Sequence, residues 1–160
     1  MRYVAILALM LSCSVAALVA KAEEEPVLLI GTIVKWQYPG AKIGGAEASD
    51  GATVDAAGKR PVASTVMKTT MTTKDPVEEV VKFYRALLAR DEKTADKLGV
   101  KPGEGQSVTF GDESAGRPFA LHTILVNTAR TSTVIIITRG AEEKETRITW
   151  KRYLVHEVGK

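Results

Sequence analysis

One cysteine, two histidines and two tryptophans are all that 160 residues offer of the side chains most used for metal binding, redox chemistry and ring stacking. A lone Cys13 excludes an intrachain disulfide and any thiolate metal set. His122 and His156 stand 34 positions apart with no cysteine to join them, so the spacing of a transition-metal site is missing. No serine sits in a nucleophile elbow of the Gly-x-Ser-x-Gly kind. Basic runs are equally short: Lys59-Arg60 and Lys151-Arg152 are the longest, and both read as solvated charges. Without a clustered positive patch, neither nucleic acid nor an anionic membrane surface is an expected partner.

Two further patterns stop short of a site. Gly40-Ala41-Lys42-Ile43-Gly44-Gly45 has the composition of a phosphate loop, but Ala46-Glu47 stands where a Lys followed by Ser or Thr is needed. No helix is expected after it, so no helix start concentrates positive potential for a phosphate. Asp50 and Asp55 lack the spaced series of oxygen ligands that holds Ca²⁺. The sequence therefore assigns no catalytic, cofactor-binding or metal-ligating residue, and no cofactor.

What is present begins at the N terminus. Arg2 precedes an apolar run over residues 4–11, continued over 15–20, and Ala20-Lys21-Ala22 puts small residues where signal peptidase cuts. Residues 1–22 read as a cleavable secretory signal, with Glu23 first in the mature chain. Two competing readings exist. Residues 3–20 are 18 in number, near the lower limit for an uncleaved membrane helix. Cys13, preceded by Leu11-Ser12, is a candidate for lipid attachment. The Ala-Lys-Ala ending and the acidic Glu23, Glu24 and Glu25 favour cleavage, and the apolar continuation after Cys13 argues against a lipid. The expected location is periplasmic or extracellular, with no stable membrane span after cleavage.

Cleavage changes the composition. Cys13 leaves, and so do Arg2 and Lys21, so the 22 basic residues become 20 against 19 acidic ones and the net charge falls from +3 to +1. Removing 22 residues from 160 leaves 138. That length suits one domain, and it buries about two-thirds of the unfolded chain's surface without disulfides.

Along the mature chain, residues 27–36 are rich in β-branched and apolar side chains and predict a strand, closed by Tyr38-Pro39-Gly40. Residues 40–60 hold scattered glycines and alanines without a period and predict a long surface loop. Residues 62–73 alternate, with Met67, Thr69 and Met71 on the side expected to face the core. Asp75-Pro76-Val77-Glu78 predicts a helix starting at Pro76, with Asp75 as cap and Glu78 completing a capping box. Val77, Val80, Val81, Tyr84, Leu87 and Leu88 give that helix an apolar stripe to about Asp91. Residues 92–98 suggest a shorter helical turn ended by Gly99.

From Gln106 on, four strand patterns follow closely, over residues 106–111, 117–127, 131–139 and 145–155. Strands joined so tightly run antiparallel. The order β-β-α-β-β-β-β predicts an α+β fold: an antiparallel sheet with one main amphipathic helix across a face. In the central strands alternation almost vanishes, with residues 134–137 apolar throughout, so both faces of the sheet are expected to be covered. One helix covers one face. Residues 27–36, the short helix, a ligand or a second subunit in a homodimer would have to cover the other.

The turn Tyr38-Pro39-Gly40-Ala41, followed by a strand and then by Thr73-Lys74-Asp75-Pro76-Val77-Glu78-Glu79-Val80-Val81-Lys82-Phe83-Tyr84, resembles a pattern of small exported bacterial proteins of unknown function. The resemblance covers under half the chain. It implies a fold and a compartment, and no chemistry.

Three side chains are weighed for function. His122 lies mid-strand beside Ala120, Ile124 and Val126, where a histidine is a base only if an acid orients it. Trp36 and Trp150 offer faces for stacking a ligand, but Trp150 shares its side of the last strand with Ile148 and Leu154 and reads as core. Arg147, Thr149, Lys151 and Tyr153 alternate onto the opposite, solvent-facing side. Abundant apolar surface without a catalytic constellation favours a non-enzymatic module that binds a protein or small-molecule partner. The alternative is a small hydrolase that uses His122.

Overall fold

The structure is a computed structural model that describes residues 29–52, 54–59, 62–90, 98 and 105–156. The export segment and nearly all of the proposed turn at 92–98 lie outside the described residues. The chain order is α1 (Leu29–Trp36), β1 (Lys42–Asp50), β2 (Ser64–Thr73), α2 (Val77–Leu87), β3 (Gln106–Asp112), β4 (Phe119–Thr128), β5 (Thr131–Gly140) and β6 (Thr146–Val155). The strands form one antiparallel sheet in the order β1-β2-β6-β5-β4-β3. The β1–β2 hairpin occupies one edge, the chain crosses by way of α2 to the opposite edge, and the β3–β6 meander returns to lie beside β2. The α+β class and the antiparallel sheet are as the sequence predicts, and the four meander strands begin and end within two residues of expectation.

Two elements differ from expectation at the N-terminal end. Residues 29–36 form a helix, not a strand. Ile33 and Trp36 are buried and Leu29 packs against them, while Ile30 and Val34 are exposed. That 29/33/36 spacing is a helical stripe, and it outweighs the β-branched composition because only a helix brings all three onto one side. The chain then turns at Tyr38-Pro39-Gly40-Ala41, where the Ala41 N–H donates to the Tyr38 carbonyl at 3.0 Å and Gly40 takes φ +72°. A proline followed by a left-handed glycine is the composition of a type II turn.

The expected loop at 40–60 contains β1. All nine of its residues are exposed, and it carries an irregularity between Ile43 and Gly45. Apart from Ile43, nothing in Lys-Ile-Gly-Gly-Ala-Glu-Ala-Ser-Asp has strong strand propensity. The strand exists because β2 offers it a ladder of partners from Thr72 back to Thr65. The Thr69 hydroxyl also donates to the Gly45 carbonyl. The loop reading holds only for the connection that follows, where the Asp55 carboxylate accepts from the Ala57 and Lys59 amides at 2.9 and 2.8 Å.

Helix α2 is amphipathic as predicted, with Val77, Val80, Tyr84, Leu87 and Leu88 buried. Its cap is not as predicted. Pro76 occupies the cap position, no side chain caps the first turn, and the helix ends at Leu87. Asp75 lies one residue too early to reach the free amides. Its Oδ2 instead accepts a hydrogen bond from the Tyr38 hydroxyl at 2.7 Å, and its carbonyl accepts one from the Thr146 hydroxyl at 2.6 Å. Arg139 donates to the Lys74 and Asp75 carbonyls at 3.5 and 3.4 Å. The β2–α2 junction is thus tied to the first turn, to β5 and to β6.

Both helices lie on the same face of the sheet. Register places Thr69, Trp150, Ile135, Ile124 and Phe110 in one row on that face. Trp36 of α1 meets Trp150, with ring centroids 6.2 Å apart, and the Arg85 guanidinium of α2 sits 4.2 Å above the Phe110 ring. The two helices are joined where the buried Tyr84 hydroxyl donates to the Trp36 carbonyl at 2.9 Å. Ile135, Ile137, Ile148 and Trp150 are fully buried beneath them.

The expectation that both faces are covered is therefore corrected. Residues 29–36 turn to the helix side, and none of the described helices lies on the other face. There Leu125 and Tyr153 are each 38% exposed, and Val134 and Ile136 are only half-buried. Their neighbours explain how this face stays in water. Thr123, Thr149, Lys151 and Lys68 intersperse with the apolar side chains in the register.

Candidate functional site

Strict alternation in β6 puts Thr146, Ile148, Trp150, Arg152 and Leu154 on the helix-covered face. Arg152 is the exception in that series. Its cross-strand neighbours are Met67 on β2 and Thr133 on β5, with Trp150 and Leu154 before and after it along β6. Met67, Thr133, Trp150 and Leu154 are all buried, so Arg152 stands among three apolar side chains and one threonine. Burial holds the Arg152 guanidinium below its ordinary pKa. Its Nε has no hydrogen-bond partner, and no carboxylate pairs with it among the described residues.

A cation taken out of water without a counter-charge costs several kcal/mol, on the order of what a buried ion pair exists to offset. The sequence places Arg152 with Lys151 as a solvated pair, and that expectation is overturned for Arg152. Adjacent residues on a strand point to opposite faces. Lys151 stays on the open face, with its ammonium 4.9 Å from the Tyr153 ring centre. The alternation that assigns Trp150 to the core was the signal that separates Arg152 from Lys151.

Other donors near this end of the face are also without acceptors. Trp36 and Trp150 are 3% and 0% exposed, and neither indole N–H has a partner. An orphaned buried donor costs about 1–3 kcal/mol. Gln106, at the start of β3 on the same face, leaves both its amide oxygen and its amide nitrogen unpaired. Trp150 is core, as the sequence reads it, and Trp36 joins it across the helix–sheet contact rather than from a strand. Both rings are buried and present no open stacking platform.

The structure brings an acid to His122. Asp112 is its partner across the β3–β4 ladder, and the Nε2 to Oδ1 distance is 3.8 Å. That separation exceeds a hydrogen bond. Asp112 Oδ1 instead accepts the Ser114 amide at 3.0 Å, and the hydrogen bonds from Ser114 hold its carboxyl below the usual range, with His122 a smaller cause. His156 is further away, its Nε2 2.7 Å from the Thr65 hydroxyl. Asp50 accepts the Ala52 amide at 2.8 Å in a local turn of the same kind as Asp55.

Among the described residues, two clefts lie elsewhere. One of about 540 Å³ opens between the start of α2 (Pro76, Val77, Glu78) and the β4–β5 end (Phe119, Arg139, Gly140). Its arginine is committed, since Arg139 donates to the Glu143 and Lys144 carbonyls as well as to the α2 junction. The second, of about 600 Å³, is lined by Lys74, Lys144 and Arg147 facing Glu143 and Glu145, a mixed-charge surface. Neither includes His122 or Arg152. Among the described residues no group of three His, Cys, Asp or Glu side chains is placed to hold a metal ion, and no helix is long and apolar enough to cross a membrane.

Comparison with known proteins returns no matching family model, no matching curated protein and no matching solved structure.

Proposed function

We propose that this is an exported, non-enzymatic module that binds a small ligand on the helix-covered face of its sheet, beside Arg152. The observation that carries the reading is a half-buried Arg152 whose Nε is buried without a partner and whose guanidinium has no counter-charge among the described residues, beside Met67, Trp150 and Leu154. A protein keeps such a group at a cost to stability, and binding is the function that repays an unpaired charge. The export half of the reading rests on the signal pattern of residues 1–22. N-terminal sequencing of secreted material is expected to begin at Glu23, and an intact Met1 or a lipidated Cys13 refutes that half.

The binding half is tested by native mass spectrometry of the protein taken from its own envelope. A one-to-one small-molecule adduct, absent from Arg152→Met, is the expected result. A wild-type spectrum free of any adduct sinks it. The hydrolase reading draws support from Asp112 opposite His122, but it asks for a carboxylate within hydrogen-bond reach and a cleft at the histidine. The 3.8 Å separation lends it less support than Arg152 lends to binding.

A further inference from the structure

On the open face of the sheet we propose a docking surface for an anionic lipid membrane, with Lys42, Lys68, Arg147 and Lys151 as its cationic contacts. The inference goes beyond the ligand reading and does not rest on it, because alternation turns Arg152 to the opposite face. No basic run in the sequence signals this patch, since its members come from three strands and only the register gathers them. Lys68 and Lys151 stand directly opposite each other on β2 and β6, Arg147 is opposite Thr72, and Thr72 is opposite Lys42. Along β6 the step from Arg147 to Lys151 is about 13 Å, and across the strands from Arg147 to Lys42 about 10 Å, at ordinary strand spacing. Lys42, Lys68 and Arg147 are exposed and Lys151 is half-buried. None of the four forms an ion pair among the described residues. Glu47, opposite Lys68, is the one acid at the paired positions of this face, and at the rim Glu143 and Glu145 are offset by Lys74 and Lys144. Like charges placed directly opposite in a sheet destabilise it, so the Lys68–Lys151 pair is a cost that the fold itself does not require.

The arrangement chooses among anionic partners. Its cations mark out an area and not a line, which matches a plane of headgroups better than a single polymer chain. Beside them on β5 and β4 lie Val134, Ile136 and Leu125, aliphatic side chains suited to the headgroup boundary and without a ring on which a nucleic-acid base stacks. The ring nearest to Lys151, that of Tyr153, already faces its ammonium. A second copy laid face to face would bring a like-charged patch against this one, and charge complementarity disfavours it.

The test is sedimentation of the purified protein with vesicles of phosphatidylcholine alone and of phosphatidylcholine mixed with phosphatidylglycerol. Binding to the anionic mixture alone is expected, with the bound fraction falling as salt shortens the range of the charges. Lys68→Gln and Lys151→Gln are each expected to weaken binding about fivefold, and the double variant about 25-fold. Lys82→Gln, which removes a cation on α2 away from this face, is expected to leave binding unchanged. The Lys68 and Lys151 variants are expected to fold with denaturation midpoints at or above wild type, because a like-charge pair is relieved. A lowered midpoint would give these lysines a structural role and remove the premise. An equal loss at Lys82 reduces the effect to net charge and overturns the face. Equal binding to both kinds of vesicle overturns the recognition of charge. Absence of sedimentation with the anionic mixture overturns the membrane, and retention on heparin with the same dependence on Lys68 and Lys151 would then assign the patch to a soluble polyanion. A solution dimer that fails to sediment hands the face to a second copy. The ligand beside Arg152 is read separately, from the native spectrum, so either reading can fail alone.

Discussion

Tyr38 joins two parts of the chain 37 residues apart, because its hydroxyl donates to Asp75 at the base of α2. The hydrogen bond to Asp75 is the largest reason that the Tyr38 phenol is pushed up to about 12 from 10.0, with burial and the Asp75 charge next. Burial, with Tyr38 a smaller cause, raises the Tyr84 phenol further, above the normal range. A phenol whose pKa is higher in the folded state binds its proton more tightly there. Its contribution is complete below pH 10 and is lost as pH climbs towards about 12. Stability should therefore fall across that window in the wild type and fall less steeply in Tyr38→Phe, as read from denaturant midpoints at a series of pH values. At neutral pH the same substitution is expected to cost about 1.5–3 kcal/mol, the range for a hydrogen bond to a charged acceptor. Identical alkaline slopes for the two proteins would remove Tyr38 as the cause.

The residue-scale picture also reassigns Asp75. If Asp75 capped α2, Asp75→Ala and Tyr38→Phe would act independently. Since the two side chains bond each other, the double variant is expected to cost less than the sum of the singles, with a coupling of about 0.5–3 kcal/mol in a double-mutant cycle. Additive costs would restore the cap. Asp-Pro at a helix start has two legible registers. With Pro76 as the first helical residue, Asp75 is the cap; with Pro76 itself as the cap, Asp75 is released to other work. Only the position of Tyr38, set by a turn far away in sequence, decides between them.

At the scale of elements, patterns that repeat within a segment were legible and those imposed by a partner were not. β2 alternates, α2 carries its own stripe, and the meander strands are bounded by turn residues, so all appear where the sequence puts them, though α2 ends at Leu87 and not near Asp91. β1 has no such pattern and exists through β2. In α1 the eight residues hold two patterns at once, a β-branched composition and a 29/33/36 spacing, and packing on Trp150 selects the second. The candidate site was illegible for a related reason. Arg152 beside Lys151 reads as a charged pair until the strand's two faces are assigned different environments. The helical assignment of α1 has a sharp test. Ile33→Ala should cost about 2–5 kcal/mol as a buried isoleucine truncated to alanine. Val34→Ala and Ile30→Ala, at exposed positions, should stay within about 0.5 kcal/mol. A strand would bury 30, 34 and 36 together, so a large cost at Val34 would overturn the helix.

The whole molecule is a sheet with unlike faces, one under two helices and one open. The register makes this testable within a single strand, because Val134 and Ile136 face one way while Ile135 and Ile137 face the other. Ile135 and Ile137 are 0% exposed, lying against Trp150 and Ile148. Replacing both by Asp puts two carboxylates where hydration is lost, a change expected to cost about 4 kcal/mol or more and to prevent stable folding. Val134 and Ile136 keep part of their surface in water, with Lys151 and Thr149 beside them. A carboxylate there retains most of its hydration and gains a neighbouring ammonium, so the same double replacement should cost only about 1–2 kcal/mol, typical of a partly exposed site. Denaturation midpoints of the two double variants, with the solution mass of each measured alongside, separate the possibilities. A large loss at both pairs, with wild-type mass falling from dimer to monomer when Val134 and Ile136 are replaced, would mean that a second copy covers the open face. A large loss at the inner pair alone, with mass unchanged, leaves the open face to water.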